Sequence, residues 1–325
     1  MARIWIIAAL LLGMDSISSA QDETEGEIIV VDSNKEEKPR RIENFPSYET
    51  PGFQLACSSG QEPYDHLPPV VRYECRRTEI PIIVDGKLDE EVWQRVEWSQ
   101  PFQHIVTGEE ASVETRVALL WDDEFLYVGY KVENHDVRGT MGSYHDHVYM
   151  KDNDVEIFVE GDGYYYEMGI NPLNNIYELR WTWLEPLVRE NRFVEIEALL
   201  KIEDYLYYVA REGDQLGRIG DLNYHLPGLK TAVHIDGVLN QPGIRDNGWT
   251  VEFALPWKGL QAIAGGKAMP PNSGDMLGIM GYRMHHFREK DREGEHEAST
   301  WNAVGCGNIH IPERWSEVIF VDDSE

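Results

Sequence analysis

The sequence predicts an all-β protein, an antiparallel β-sandwich of the immunoglobulin or jelly-roll kind carrying one long insertion. Three observations support this. Short runs rich in β-branched and aromatic residues recur from about Val71 to the C-terminus. Turn pairs such as Asp85-Gly86, Asp122-Asp123 and Gly161-Asp162-Gly163 separate them. Few segments repeat their apolar residues at a helical period.

The chain has 325 residues and opens on Arg3, an apolar run from Ile4 to Leu12, and the small residues Ser18 and Ala20. That order is expected of a secretory signal over residues 1–20, cleaved after Ala20, with the mature protein secreted or periplasmic in a bacterium. The run is too short to span a bilayer, and no later segment is apolar enough, so no membrane span is expected after signal removal. Residues 21–70 are polar, acidic and without hydrophobic period, the pattern of a flexible leader.

The patterned domain, 71–325, follows. Ile80 to Val84 is expected to be a strand turned by Asp85-Gly86, with Asp89 capping a short helix that buries Trp93. Thr115 to Trp121 and Phe125 to Val132 form a hairpin around Asp122-Asp123-Glu124. Val155 to Glu160 and Tyr164 to Ile170 form a second, stopped by Asn171-Pro172 because proline donates no ladder hydrogen bond. Further strands are expected at Ile176 to Trp183, Lys230 to Ile235, Trp249 to Leu255, Met276 to Met284 and Trp315 to Val321. Pro186 to Leu226 breaks the rhythm as an insertion, partly helical around Phe193 to Tyr208.

The formal net charge is −29, from 58 acidic and 29 basic residues. Phosphate backbones would repel such a chain, so nucleic acid is excluded as a partner, while neutral polysaccharide or oligosaccharide is not. Three cysteines are present; export permits a disulfide, and closeness in sequence favours Cys57 with Cys75 over pairings with Cys306.

Four stretches in order then resemble the family 9 carbohydrate-binding modules, within the DOMON-like sandwich superfamily. They are Ile83-Val84-Asp85-Gly86-Lys87-Leu88-Asp89-Glu90-Glu91-Val92-Trp93; Leu119 to Val128; Asp152-Asn153-Asp154-Val155-Glu156-Ile157-Phe158-Val159 with Tyr165-Tyr166-Glu167 and Asn171; and Trp301 with His310 to Trp315. The resemblance implies a β-sandwich, a sugar-binding cleft and, often, structural calcium.

It also implies roles for particular residues. Sugars are held by an aromatic face on the ring's C–H side and by amides or carboxylates on its hydroxyls. Trp301 falls at the family's aromatic platform; the alternative is a wedge under the final hairpin. Glu156 and Asn171 fall where hydroxyls are bonded, though Glu156 could instead alternate outward on its strand and Asn171 could be a turn residue. The second platform would fall near Met150, where there is no tryptophan, and Tyr149 and Tyr144 are the neighbouring candidates. Arg283 and His310 are secondary ligand-binding candidates.

Asp122, Asp123, Asp152 and Asp154 offer the hard oxygens that calcium prefers. His145 and His147 would share one strand face but lack a third ligand. No catalytic motif is found: His296-Glu297-Ala298-Ser299-Thr300 lacks the second histidine of a zinc protease helix. The function expected is non-catalytic carbohydrate binding in support of carbohydrate catabolism. The alternatives are a glycoside hydrolase or its accessory module, and a haem-binding electron-transfer module using Met150, Met168, His145 or His310.

Overall fold

Alternating apolar and polar residues dictate strands, and the strands here pair largely where the alternation is strongest. The computed structural model describes residues 67–143, 145–202, 217–288, 292 and 294–323, with the backbone of 28–30, 40–42 and 205–208. Residues 1–20 and Cys57 lie outside the described residues. In the leader, β1 (Ile28–Val30) and β2 (Arg40–Ile42) pair with each other alone.

The domain is one coiled sheet. Its strands are β3 (Arg72–Arg77), β4 (Gln103–His104), β5 (Thr115–Trp121), β6 (Phe125–Glu133), β7 (Asp154–Glu160), β8 (Tyr164–Ile170), β9 (Ile176–Trp183), β10 (Tyr205–Tyr208), β11 (Arg218–Asp221), β12 (Lys230–Asp236), β13 (Gly248–Pro256), β14 (Met276–His286), β15 (His296–Thr300) and β16 (Ser316–Val321). The order runs β10-β11-β9-β8-β7-β14-β16-β3-β5-β6-β13-β12, with β15 pairing β14 and β4 pairing β15. Both predicted hairpins form, β5–β6 and β7–β8. All neighbours are antiparallel except β16–β3 and β3–β5.

The sheet folds back so that β7 and β14 face β5 and β6. Tyr130 on β6 donates to the Glu156 carbonyl of β7 at 2.7 Å. Arg283 on β14 reaches the Glu133 carbonyl at the end of β6 (2.7 Å) and the Thr115 hydroxyl at the start of β5 (2.7 Å). Between the halves lie Val117, Leu119, Val128, Val155, Ile157, Met168, Ile279 and Phe253, all without exposure. Trp121 and Trp249, by strand alternation, and Trp93, on a short helix, are core residues as expected.

Four expectations are corrected. Residues 80–84 form no strand: Pro81 has no N–H, Ile83 is 70% exposed, and the Ile83 amide donates to the Glu90 side chain. The helix burying Trp93 is α1 (Glu91–Arg95), with Glu90 rather than Asp89 at its N-cap. The insertion is α2 (Leu184–Arg189) and α3 (Phe193–Leu199) followed by β10 and β11, which extend the sheet beyond β9. The helix expected through Tyr208 therefore stops at Leu199.

The fourth correction concerns the disulfide. Cys75 is free and has no exposure, because Tyr73 and Cys75 are the alternate β3 residues that face the core. Burial pushes its thiol pKa well up. Cys306 is the disulfide-bonded cysteine. Closeness in sequence was therefore the wrong criterion: a strand between β16 and β5 aims Cys75 inward.

Candidate functional site

The outer face of β7, β8, β9 and β14 carries the chemistry. Register places Glu156 beside Tyr282 of β14 and Gly169 of β8, and Gly169 beside Tyr177 of β9. Residue 169 must be small, because a Cβ there would lie 2.2 Å from the Tyr177 ring. Two residues along β8, Glu167 pairs with Leu179 and projects to the same side. The period of two thus gathers Asp154, Glu156, Glu167, Tyr177, Trp181, Tyr282 and Met284 on one face.

Two loops wall this face into a pocket of about 200 Å³. One side is a short 3₁₀ turn, 148–150, with His147 and Tyr149; the other is Gly307 to His310. His147 stacks on Tyr177 at 5.4 Å between ring centres, and Tyr149 meets Tyr177 edge-on at 5.6 Å. Opposite, His310 meets the Tyr165 hydroxyl at 2.8 Å and the Trp181 ring at 5.5 Å.

The pocket floor is acidic and buried. Glu156 is 4% exposed and Glu167 6%. Glu167 accepts from the Trp181 indole at 2.6 Å, and Arg218 lies over the same indole at 4.7 Å. Tyr177 faces both carboxyls. Burial raises the Glu156 and Asp154 pKa well above the usual carboxylate range; repulsion from Asp154 and Glu167 adds to it at Glu156, and repulsion from Asp152 and Glu167 at Asp154. Glu167 is raised by burial to about 7, held there by the opposing Trp181 bond and Arg218 charge. Burial also keeps His310 neutral, its pKa well below the usual value. The floor therefore offers neutral or half-ionised carboxyls that both donate and accept.

Of the residues expected from the sequence, Glu156, Tyr149 and His310 meet here. Trp301 does not: it is no part of the pocket lining and packs edge-on against Tyr73 at 5.2 Å, so it is the wedge and not the platform. Its position is set by β15, which pairs with β14 where the sequence reads as a polar loop. Asn171 is a turn residue. Its amide donates to the Met141 carbonyl and Asp152, and its oxygen accepts from the Leu173 and Asn175 amides. Arg283 points to the inner face, bonded to two carbonyls, Thr115 and His285. Burial pushes its pKa down to about 9, which leaves it charged at neutral pH. Tyr144 lies outside the described residues.

The aspartates do not fit a shared calcium. Asp122 accepts from the Glu124 and Phe125 amides and the Tyr127 hydroxyl. Asp123 is an exposed partner of Arg77 at 2.7 Å. Asp152 accepts from Thr140, Met141 and Asn171, and Asp154 from the Met284 amide. Among the described residues these carboxylates form no group of three converging ligands. The haem ligands do not converge either: Met168 faces the inner core, His310 the outer pocket, and Met150 solvent.

Sequence reading missed Glu167, Tyr177, Trp181 and Tyr282. Each alternates correctly within its strand, but only the register across strands shows that they share a face with Glu156.

Residues 84–172, a stretch holding all but Ile83 of the first three motifs and including Glu156, Glu167 and Asn171, match the family model described as Carbohydrate family 9 binding domain-like. Over that stretch the chain is similar to that family, as its motifs imply. Three solved structures are similar. One is a family 9 carbohydrate-binding module from Caldicellulosiruptor kristjanssonii in complex with cellotriose, at 14% identity and TM-score 0.43, covering 78% of this chain and 95% of that one. The same organism's module in complex with glucose gives 14% and 0.44, covering 78% and 97%. A putative carbohydrate-binding protein from Bacteroides uniformis gives 12% and 0.48, covering 78% and 100%. No curated protein matches the chain.

Proposed function

We propose that the protein binds carbohydrate, and that the outer-face pocket takes a single sugar ring. The observation that carries this is a recess where Glu156 and Glu167 lie on the floor between Tyr149, Tyr177 and Trp181. Aromatic walls suit the C–H faces of a sugar, and half-ionised carboxyls suit hydroxyls, which donate and accept. A volume of about 200 Å³ is below the range of about 300–1,000 Å³ usual for larger ligands, which favours one ring at a chain end over a chain passing through. The family match over 84–172 supports the same reading.

Export is part of the proposal. It rests on the apolar run Ile4 to Leu12 followed by Ser18 and Ala20. No helix among the described residues is long and apolar enough to cross a membrane.

Titration of the full chain with glucose, cellotriose and a panel of other glycans tests the reading. Heat and a change in tryptophan fluorescence are expected for at least one sugar, both weakened in Glu156→Gln. A panel with no heat and no fluorescence change would sink it. A second reading, glycoside hydrolysis, is favoured by one observation: two carboxyls with raised pKa share the pocket, and the value of about 7 for Glu167 suits a general acid. Reducing-sugar release from the same panel, abolished by Glu167→Gln, would establish it; intact glycans after prolonged incubation would exclude it.

A further inference from the structure

Behind the pocket strands, on their inner face, lies a set of side chains that carbohydrate binding does not use. Glu178 of β9 is 1% exposed. One of its oxygens accepts from the Tyr166 hydroxyl at 2.7 Å and the Leu226 amide at 2.9 Å. The other oxygen faces two imidazoles, with His225 Nδ1 at 2.6 Å and His145 Nε2 at 3.9 Å. One ligand atom from each of the three lies within 4.8 Å of the others.

We infer that His145, Glu178 and His225 form a binding site for one transition-metal ion of the zinc type. Two imidazole nitrogens and one carboxylate oxygen are a ligand set that zinc accepts, with a water in the fourth position. Tetrahedral bonds of about 2.0–2.1 Å separate neighbouring ligand atoms by about 3.3 Å. The observed 2.6 and 3.9 Å straddle that value, so small side-chain movements close the site.

The surrounding bonds already orient the ligands. His145 Nδ1 lies 3.1 Å from the Leu222 carbonyl. Donation there places the proton on Nδ1 and leaves the Nε2 lone pair toward Glu178, the arrangement that fixes metal-binding histidines elsewhere. Tyr166 and the Leu226 amide do the same for the carboxylate. The His225 side chain is 56% exposed, which gives the ion a way in and its water a place. His145 holds a left-handed backbone, φ 57°, uncommon for a residue with a side chain.

The three ligands come from the loop after β6, from β9, and from the segment between β11 and β12. A bound ion would therefore fasten the return of the insertion to the sheet. His147, the neighbour that the sequence pairs with His145, is no part of the set, since it stacks on Tyr177 in the pocket.

The test is direct titration of the chelator-treated full chain with zinc chloride, and with cobalt chloride as a spectroscopic probe. Expected are one zinc per chain, a melting temperature that rises with zinc, and cobalt absorption of tetrahedral intensity. His225→Ala, at an exposed position, and Glu178→Gln, which keeps the side-chain shape, should each weaken zinc binding by about tenfold or more. His147→Ala should leave it unchanged. Far-ultraviolet circular dichroism on the same samples reports that the variants are folded. Absence of zinc binding in the wild type, or binding that survives His225→Ala and Glu178→Gln, would overturn the assignment, as would its loss in His147→Ala.

Discussion

Two buried glutamates, Glu252 on β13 and Glu156 on β7, sit on opposite halves of the sheet at 1% and 4% exposure. Glu252 is saturated: it accepts from the Asp85 amide (2.9 Å), the Gly86 amide (2.6 Å) and the Trp93 indole (2.8 Å). It thereby ties the Asp85-Gly86 turn and α1 to the sheet. Gly86 is required there, with φ 85° and a Cβ position 2.7 Å from the Val233 backbone. Glu156 instead faces Asp154, Glu167 and Tyr177, with its charge opposed by its neighbours. A carboxylate surrounded by donors is architecture; one placed among acids at a pocket floor is the group the proposed sugar would bond.

Substitutions break this comparison in a definite order. Glu252→Ala should have the largest effect, about 3–5 kcal/mol of lost stability, because two buried donors, the Gly86 amide and the Trp93 indole, and the part-buried Asp85 amide lose their acceptor. A urea midpoint measures it, and sugar affinity of the folded fraction should not change. Trp301→Ala should cost a similar or slightly smaller amount, about 3–4 kcal/mol, by leaving a cavity against Tyr73. If Trp301→Ala lost sugar binding while its melting temperature held, the tryptophan would be a platform after all.

Glu167→Gln isolates the pocket's electrostatics. The folded pKa of about 7 lies above the unfolded 4.5, so folding favours the protonated form. Stability from this group is fully present below pH 4.5 and is lost as pH rises to about 7. The variant has no such loss. Its stability relative to wild type should therefore climb across that window, by at most roughly 3 kcal/mol. A flat difference between pH 4.5 and 7 would show an ordinary, hydrated carboxylate. Added calcium should have the smallest effect, no measurable shift in melting temperature, since Asp122 and Asp152 are engaged by protein donors.

Much of the sandwich was legible because its strands alternate cleanly. Ile176 to Trp183 reads from the sequence with the bounds of β9, and both hairpins follow from their turns. The failures share a cause. β15, His296 to Thr300, is polar and becomes a strand only because β14 is long enough to pair with it. Ile80 to Val84 is rich in β-branched residues but finds no partner strand. The site was legible only in part. Glu156 announces itself as an acid within an apolar run, and Tyr149 and His310 follow from the family resemblance. Glu167, Tyr177 and Trp181 needed the register of β7, β8 and β9. Glu178 and His225 needed the path of the insertion, which no local pattern encodes.

Calorimetric titration of Glu156→Gln beside wild type, against the tightest glycan of the panel, tests the central claim most directly. The expected result is a loss of about 10- to 100-fold in affinity, the worth of a hydrogen bond to a charged or shared-proton carboxyl, with stability equal to or above wild type. Unchanged affinity with the glycan still bound would contradict it and place the sugar elsewhere on the molecule.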